Sequence, residues 1–206
     1  PNDHVNYGQS TNDVIPTVGK MTALVLLHRL EQTLEQLCSA FQKKAAEFDS
    51  VLKMGRTQMQ DAVPIRLGQE FGAYASAVER GLQRLKLAKK ELLAINMGGT
   101  AIGTGLNADT GYFHNISATL SALTGYSFRQ APDLIDATQN IDCFASVSSA
   151  LKNCAIIISK IANDLRLMSS GPRTGFGEIN LPARQNGSSI MPGKVNPVIP
   201  EVMNQI

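Results

Sequence analysis

The chain has 206 residues, enough to bury a sizeable core in one domain or two small ones. Charged residues make up only 17% of it and apolar residues 43%, against roughly 25% charged in a typical soluble domain, so much of the surface is expected to meet protein rather than water. A net charge of +2 with no basic run argues against nucleic acid and anionic membrane as partners.

Pro1 to Asp13 reads as a polar loop, closing on Gly8-Gln9-Ser10-Thr11-Asn12-Asp13 just before a helix. One of these side chains would suffice as an N-cap. Four in a row also make a hydroxyl-dressed helix N-terminus, a natural cradle for a carboxylate. Helical periodicity then runs from Thr17 to Phe48, with Met21, Leu24, Leu27, Leu34, Leu37, Phe41 and Ala45 at three- and four-residue steps. Lys53–Pro64 reads as the next loop. On a structural reading it is a turn with Arg56 expected to pair with Asp61; on a functional one Thr57 and Gln58 are neutral hydrogen-bonding partners for a polar ligand.

A second long helix is expected over Ile65–Asn96, with Leu67, Phe71, Tyr74, Val78, Leu82, Leu85, Leu92 and Ile95 on one stripe. The glycine-rich loop Met97–Asp109 follows, holding a nominal G-x-G-x-x-A at Gly103–Ala108. A dinucleotide fingerprint needs a preceding strand. A long helix precedes this one, so its glycines are assigned to close backbone approach and left-handed turns. A short helix covers Gly111–Leu123, and a third long one Ala137–Ser169, with Ile141, Phe144, Val147, Leu151, Ile158, Ile161, Leu165 and Met168 on its stripe. Ser169–Pro200 is again loop.

Each long helix has about 32 residues and a length of about 48 Å. With strand signals nearly absent and no linker, the reading is one all-α domain over 1–206, a long-helix bundle packed at shallow angles. The chain opens on Pro1 and stops at Ile206 inside a helical run, so it is expected to be a fragment of a longer protein. No signal peptide is visible, and no apolar run approaches the ~18 residues that span a bilayer. Cys38, Cys143 and Cys154 lack metal or disulfide spacing and read as buried small residues in a reducing, cytoplasmic compartment. His4 and His114 are isolated and read as surface or capping groups, so no metal site is expected.

Gly187-Ser188-Ser189-Ile190-Met191-Pro192-Gly193-Lys194-Val195-Asn196-Pro197 is the most informative segment. Two prolines forbid a regular helix, and amides, hydroxyls and Lys194 could converge on an anion. This stretch resembles the signature loop of the fumarase/aspartase superfamily. The motifs around Ser10, Thr57 and Gly98 match the same superfamily in order and spacing, so the resemblance covers essentially the whole chain. Gln58 and Asp136-Ala137-Thr138-Gln139-Asn140 look more like the aspartate ammonia-lyases than the class II fumarases, which usually carry histidine at the Gln58 position.

The resemblance implies reversible elimination of ammonia from L-aspartate to give fumarate, with no cofactor in the chemical step. By it, Ser188 is the catalytic base and Lys194 and Glu201 belong to the catalytic group. Thr57, Lys194 and Asn196 would hold the α-carboxylate. Ser10, Thr11 and Ser189 would receive the β-carboxylate and its enediolate, and Met191 lies in the same substrate-binding loop. Asn12 and Gln58 would accept hydrogen bonds from the ammonium. An amide at position 58 cannot protonate a departing hydroxide, whereas ammonia leaves already protonated, which favours aspartate over malate. The alternatives are a class II fumarate hydratase and a non-catalytic helical scaffold. The superfamily also implies a homotetramer. Ser10–Asn12 and Thr57–Gln58 flank opposite ends of one long helix, so a four-carbon substrate could touch both only if they come from different subunits.

Overall fold

The structure, a computed structural model, describes residues 1–206. Its elements in chain order are α1 (Thr11–Glu47), β1 (Leu52–Thr57), β2 (Gln60–Arg66), α2 (Leu67–Lys89), a 3-10 turn (Lys90–Leu93), β3 (Ala94–Ile95), α3 (Thr110–Thr124), β4 (Arg129–Gln130), α4 (Leu134–Gln139), α5 (Asp142–Met168) and α6 (Val198–Gln205). Helices hold 58% of the residues, so the helical class stands. Two small sheets break it: β1 and β2 form an antiparallel hairpin where a plain loop was expected, and β3 pairs with β4 in parallel. The second long helix accordingly ends at Lys89, seven residues before the expected Asn96.

The chain divides into two compact units, Pro1–Thr33 with Leu82–Leu151 and Leu34–Gly81 with Lys152–Ile206, and the divisions fall inside α1, α2 and α5. The first unit buries Leu24, Leu27, Leu82, Leu85, Leu92, Ile95, Phe128, Cys143, Val147 and Ala150. Where α1 faces α5, Gly19 leaves the room that the Phe144 ring fills: a Cβ there would lie 3.3 Å from the ring edge.

The second unit buries Leu34, Cys38, Leu67, Phe71, Tyr74, Val78, Cys154, Ile161 and Met168. Phe41, Phe48, Phe71 and Tyr74 form an aromatic cluster with ring centroids 5.3–6.2 Å apart, three of its four pairs edge-on, the arrangement that ring quadrupoles favour. The end of α1 meets the start of α2 at Gly68, whose N–H donates to Phe48 O at 3.0 Å and whose absent Cβ would sit 2.3 Å from Ala45 O.

Two helix readings need correction. α1 begins at Thr11, not Thr17, and includes Pro16. Proline has no N–H to give Asn12 O at i−4, and the buried Asn96 fills the gap by donating its Nδ2 to that carbonyl at 3.0 Å. α5 begins at Asp142, and its buried face runs through Cys143, Val147, Ala150, Cys154, Ile161 and Met168, leaving Ile141, Leu151 and Ile156 exposed. α5 is also long and apolar enough to cross a membrane by length and composition, contrary to the expectation of no such run. Its mean hydropathy of 1.2 only just suffices, because polar residues such as Ser146 and the Lys152–Asn153 pair interrupt it. All three cysteines are buried and none is in a disulfide.

Candidate active site

In the first unit Ser10, Thr11 and Asn12 form the N-terminus of α1, held by reciprocal capping. Ser10 Oγ accepts the Asn12 N–H at 3.1 Å, and Asp13 Oδ1 accepts the Ser10 N–H at 2.9 Å, a capping box with aspartate in the glutamate role. The other Asp13 oxygen reaches the glycine-rich loop and accepts the Thr100 N–H at 3.1 Å. Asn12 Nδ2 donates to Ala101 O at 2.7 Å, which leaves its Oδ1 as acceptor. Thr11 and Asn12 are exposed, whereas Asp13 is fully buried. Tyr112 lies nearby, its phenol pushed upward first by burial and then by the Asp13 charge.

The same unit decides the nucleotide question on firmer grounds than the sequence did. A strand, β3, does precede the glycine-rich loop, but seven residues separate Ile95 from Gly103. The loop satisfies itself: Gly103 and Gly105 both donate to Gly99 O. The N-terminus of α3 is capped by the Asp109 carboxylate, which repels a pyrophosphate. Gly103, at φ +92°, lies so close to α4 that a Cβ would meet Ile135 at 2.5 Å.

In the second unit Thr57 and Gln58 sit at the tip of the β1–β2 hairpin. Thr57 pairs with Gln60, leaving Gln58 (φ 53°) and Met59 (φ 64°) as the two central residues of a tight turn. Both φ values are positive, as the primed hairpin turns require, yet neither residue is the usual glycine or asparagine. Strain of this kind persists only where the surroundings hold it, and it gathers at functional sites.

Below the tip lies a charged network. Arg56 makes a bidentate pair with Glu178, not the expected pair with Asp61, and its guanidinium stacks on Phe176 at 4.0 Å. Lys53 Nζ reaches Glu178 at 2.8 Å and Glu70 at 2.9 Å. Regular alternation would aim residues 53 and 56 at opposite faces. The register shift between Met54 and Arg56 brings both to Glu178, and Gly55 permits it, since a Cβ there would meet Val63 O at 2.8 Å. Burial raises the Glu178 pKa, but hydrogen bonds from Arg56 and Lys53 and their charges outweigh it, so the carboxyl titrates below its ordinary value.

Ser188, Ser189, Met191, Lys194 and Asn196 lie on the signature loop. Ser188 Oγ accepts the Ile190 N–H at 3.3 Å, Ser188 O accepts the Met191 N–H at 3.0 Å, and Met191 O accepts the Lys194 N–H at 3.2 Å. Lys194 and Asn196 line a cleft of about 470 Å³ with Asn163, Arg166, Ser169 and Ser170 from the end of α5 and beyond. Glu201, in the first turn of α6, pairs with Arg166 at 3.6 Å. Thus the second unit brings Lys194 and Asn196 to one cleft with Glu201 tied to its Arg166, and gathers Ser188, Ser189 and Met191 on the same loop. Thr57 and Gln58 make no hydrogen bond to that loop.

Sequence reasoning missed Asp13 as more than a cap, and also Asn96, Thr100, Arg166 and Glu178. Only Asp13 carried a readable signal, the Ser-x-x-Asp spacing before a helix.

The lyase family matches along residues 1–206. The chain is 58% identical to an aspartate ammonia-lyase of a Bacillus species over 100% of this chain and 44% of that protein. It is 57% identical to the aspartate ammonia-lyase of Bacillus subtilis (strain 168), again over 100% of this chain and 43% of that one. Among solved structures, a fumarate lyase:delta crystallin from Brucella melitensis bound to cobalt superposes with a TM-score of 0.95 at 51% identity, covering 100% of this chain and 45% of that one. A class II fumarase from Schistosoma mansoni superposes with a TM-score of 0.93 at 36% identity, covering 100% and 46%. The chain therefore spans less than half the length of these relatives.

Proposed function

We propose, on the premise that this chain belongs to the lyase family of fumarases and aspartases, that the protein carrying it eliminates ammonia from L-aspartate to give fumarate. The observation that carries the reading is the cleft at the end of α5, where Lys194 and Asn196 converge beside Arg166. A cation, a carboxamide and a guanidinium around one opening suit a dicarboxylate.

In this reading Ser188 takes the proton from the carbon next to the β-carboxylate. That proton is weakly acidic, and its removal makes a dianionic enediolate, so donors must stand ready where the charge develops. Lys194, Asn196 and Thr57 hold the α-carboxylate. Ser10, Thr11 and Ser189 receive the β-carboxylate, Met191 shapes the loop around it, and Glu201 completes the catalytic group. Asn12 and Gln58 accept from the ammonium. The commitment of Asn12 Nδ2 to Ala101 O supports this role, because the amide oxygen is then the free end. Once the C–N bond breaks, the electron pair leaves with nitrogen as ammonia and no side chain needs to supply a proton.

The site is assembled from different subunits of a homotetramer, in a reducing cytoplasm compatible with three cysteines outside any disulfide. Ser10–Asn12 and Thr57 belong to different units of the chain, and neither unit alone holds both groups. The exposed apolar residues of α5 suit contact with other copies.

The test is the full-length protein given L-aspartate or L-malate, with fumarate followed by ultraviolet absorbance. Fumarate from aspartate alone supports the reading. Fumarate from malate alone reassigns the protein to the hydratases, and no product from either overturns it.

A further inference from the structure

We propose that Asp13 is a positioning residue for substrate binding, and that the glycine-rich loop 97–107 is the brace it works through. The inference rests on the reading of Ser10–Asn12 as a carboxylate cradle.

Asp13 is fully buried and uses both carboxylate oxygens on backbone amides, one in the cradle (Ser10) and one in the loop (Thr100). A cap alone requires one of these bonds. The second joins segments 87 positions apart in sequence. Further bonds run alongside it. Asn12 Nδ2 donates to Ala101 O, and Asn96 Nδ2 donates both to Asn12 O and to Thr138 Oγ1. The backbone and side chain of Asn12 are therefore both fixed from outside their own helix.

Thr100 supplies an independent sign that this brace is under load. It is β-branched, yet it adopts φ +57° and is buried. Such a conformation is a clear outlier for a β-branched residue and persists only when surrounding bonds impose it. Here the imposing bonds are its N–H to Asp13 and its hydroxyl to Leu106 O at 3.2 Å. Releasing the Asp13 bond lets Thr100 relax toward an ordinary backbone, which moves Ala101 O, the acceptor that orients Asn12.

The prediction separates positioning from plain stability. In the full-length protein Asp13→Asn keeps one acceptor but presents an NH2 to the second amide. KM for aspartate and the inhibition constant of succinate, a non-reacting dicarboxylate, should then rise together by ~10-fold, the loss of one hydrogen bond to a charged group. kcat should change by less than about threefold. Adding Thr100→Gly, which accepts the left-handed backbone without a clamp, should restore part of the KM in the Asp13→Asn background. A lowered melting temperature with unchanged KM and no response to Thr100→Gly overturns the positioning role and leaves the proposed activity standing. A wild-type protein inert toward both aspartate and malate overturns the activity, and the inference with it. Should Asp13→Asn fail to fold, hydrogen exchange on the wild type decides. Succinate should slow exchange at Ser10–Asn12 and at Thr100–Ile102 together, and slowing at the first segment alone overturns the brace.

Discussion

Replacing Glu178 with glutamine tests whether the network under the hairpin holds the candidate residues at its tip. The carboxylate accepts a bidentate pair from Arg56 and a bond from Lys53, with its side chain only 13% exposed. Glutamine keeps one acceptor oxygen and turns an NH2 toward a cation. Lys53 retains Glu70 at 2.9 Å, and Arg56 retains its stack on Phe176, so neither cation is abandoned. The loss is therefore confined to one or two charge-assisted bonds at about 1.5–3 kcal/mol each, or roughly 2–4 kcal/mol after partial retention. A long, multi-unit protein does not unfold in one step, so the local opening of the hairpin is the quantity to measure. Native-state hydrogen exchange of residues 52–66 should accelerate by about 30-fold to several hundred-fold at neutral pH, since ~1.4 kcal/mol is one decade. The pH dependence has a definite sign. Glu178 titrates below its ordinary value in the folded protein, so its contribution is complete above the unfolded pKa of about 4.3 and is lost as pH falls through the lower folded value. The difference between wild type and variant should shrink as the solution becomes more acidic than that. Hairpin exchange within threefold of wild type at pH 7 would refute the reasoning.

In the full-length protein the proposed role of Ser188 predicts that Ser188→Ala lowers kcat by about 10² or more while dicarboxylate binding survives, and near-normal turnover removes Ser188 as the proposed base. The segment Gly187–Asn196 is held mainly by its own short-range bonds, so succinate should protect it from hydrogen exchange as a closing lid does; equal protection with and without succinate counts against a lid. Mixing two inactive full-length variants, Thr11→Ala and Thr57→Ala, should restore part of the activity if subunits share sites, and a fully active monomer in sedimentation ends that idea.

The three long helices were legible because their apolar stripes repeat at helical spacing, and α1 buries Leu24, Leu27 and Leu34 as that stripe requires. The hairpin was not, because Gly55 and Pro64 interrupt its strands and Gln58-Met59 lacks the asparagine–glycine signal of a tight turn. The start of α1 was misplaced because Pro16 reads as a breaker, and its compensation comes from Asn96, 80 residues away. The buried face of α5 was misread because apolar residues lie on more than one of its faces. Cys143, Val147, Ala150, Cys154, Ile161 and Met168 are buried at helical spacing, and the expected stripe shares only Val147, Ile161 and Met168 with them, so spacing alone did not choose between two neighbouring faces. The candidate site residues were named through their motifs, whereas Arg166, which lines the same cleft as Lys194 and Asn196, lies in none of them. Arg56 and Glu178, 122 positions apart, leave no local trace of their pairing.

The left-handed pair at the hairpin tip has a practical consequence for anyone wishing to make this protein more robust. A stabilisation effort guided by turn preference would rank Gln58-Met59 among the first positions to replace, because asparagine–glycine relieves both residues at once. That swap would also draw back by one methylene the amide proposed to meet the substrate nitrogen. The two positions need not be treated alike: Met59 is exposed and no role is assigned to it. A single Met59→Gly captures the backbone relief at one centre of the turn and leaves the carboxamide of Gln58 where it is. Robustness and chemistry are thus separable here, one residue apart.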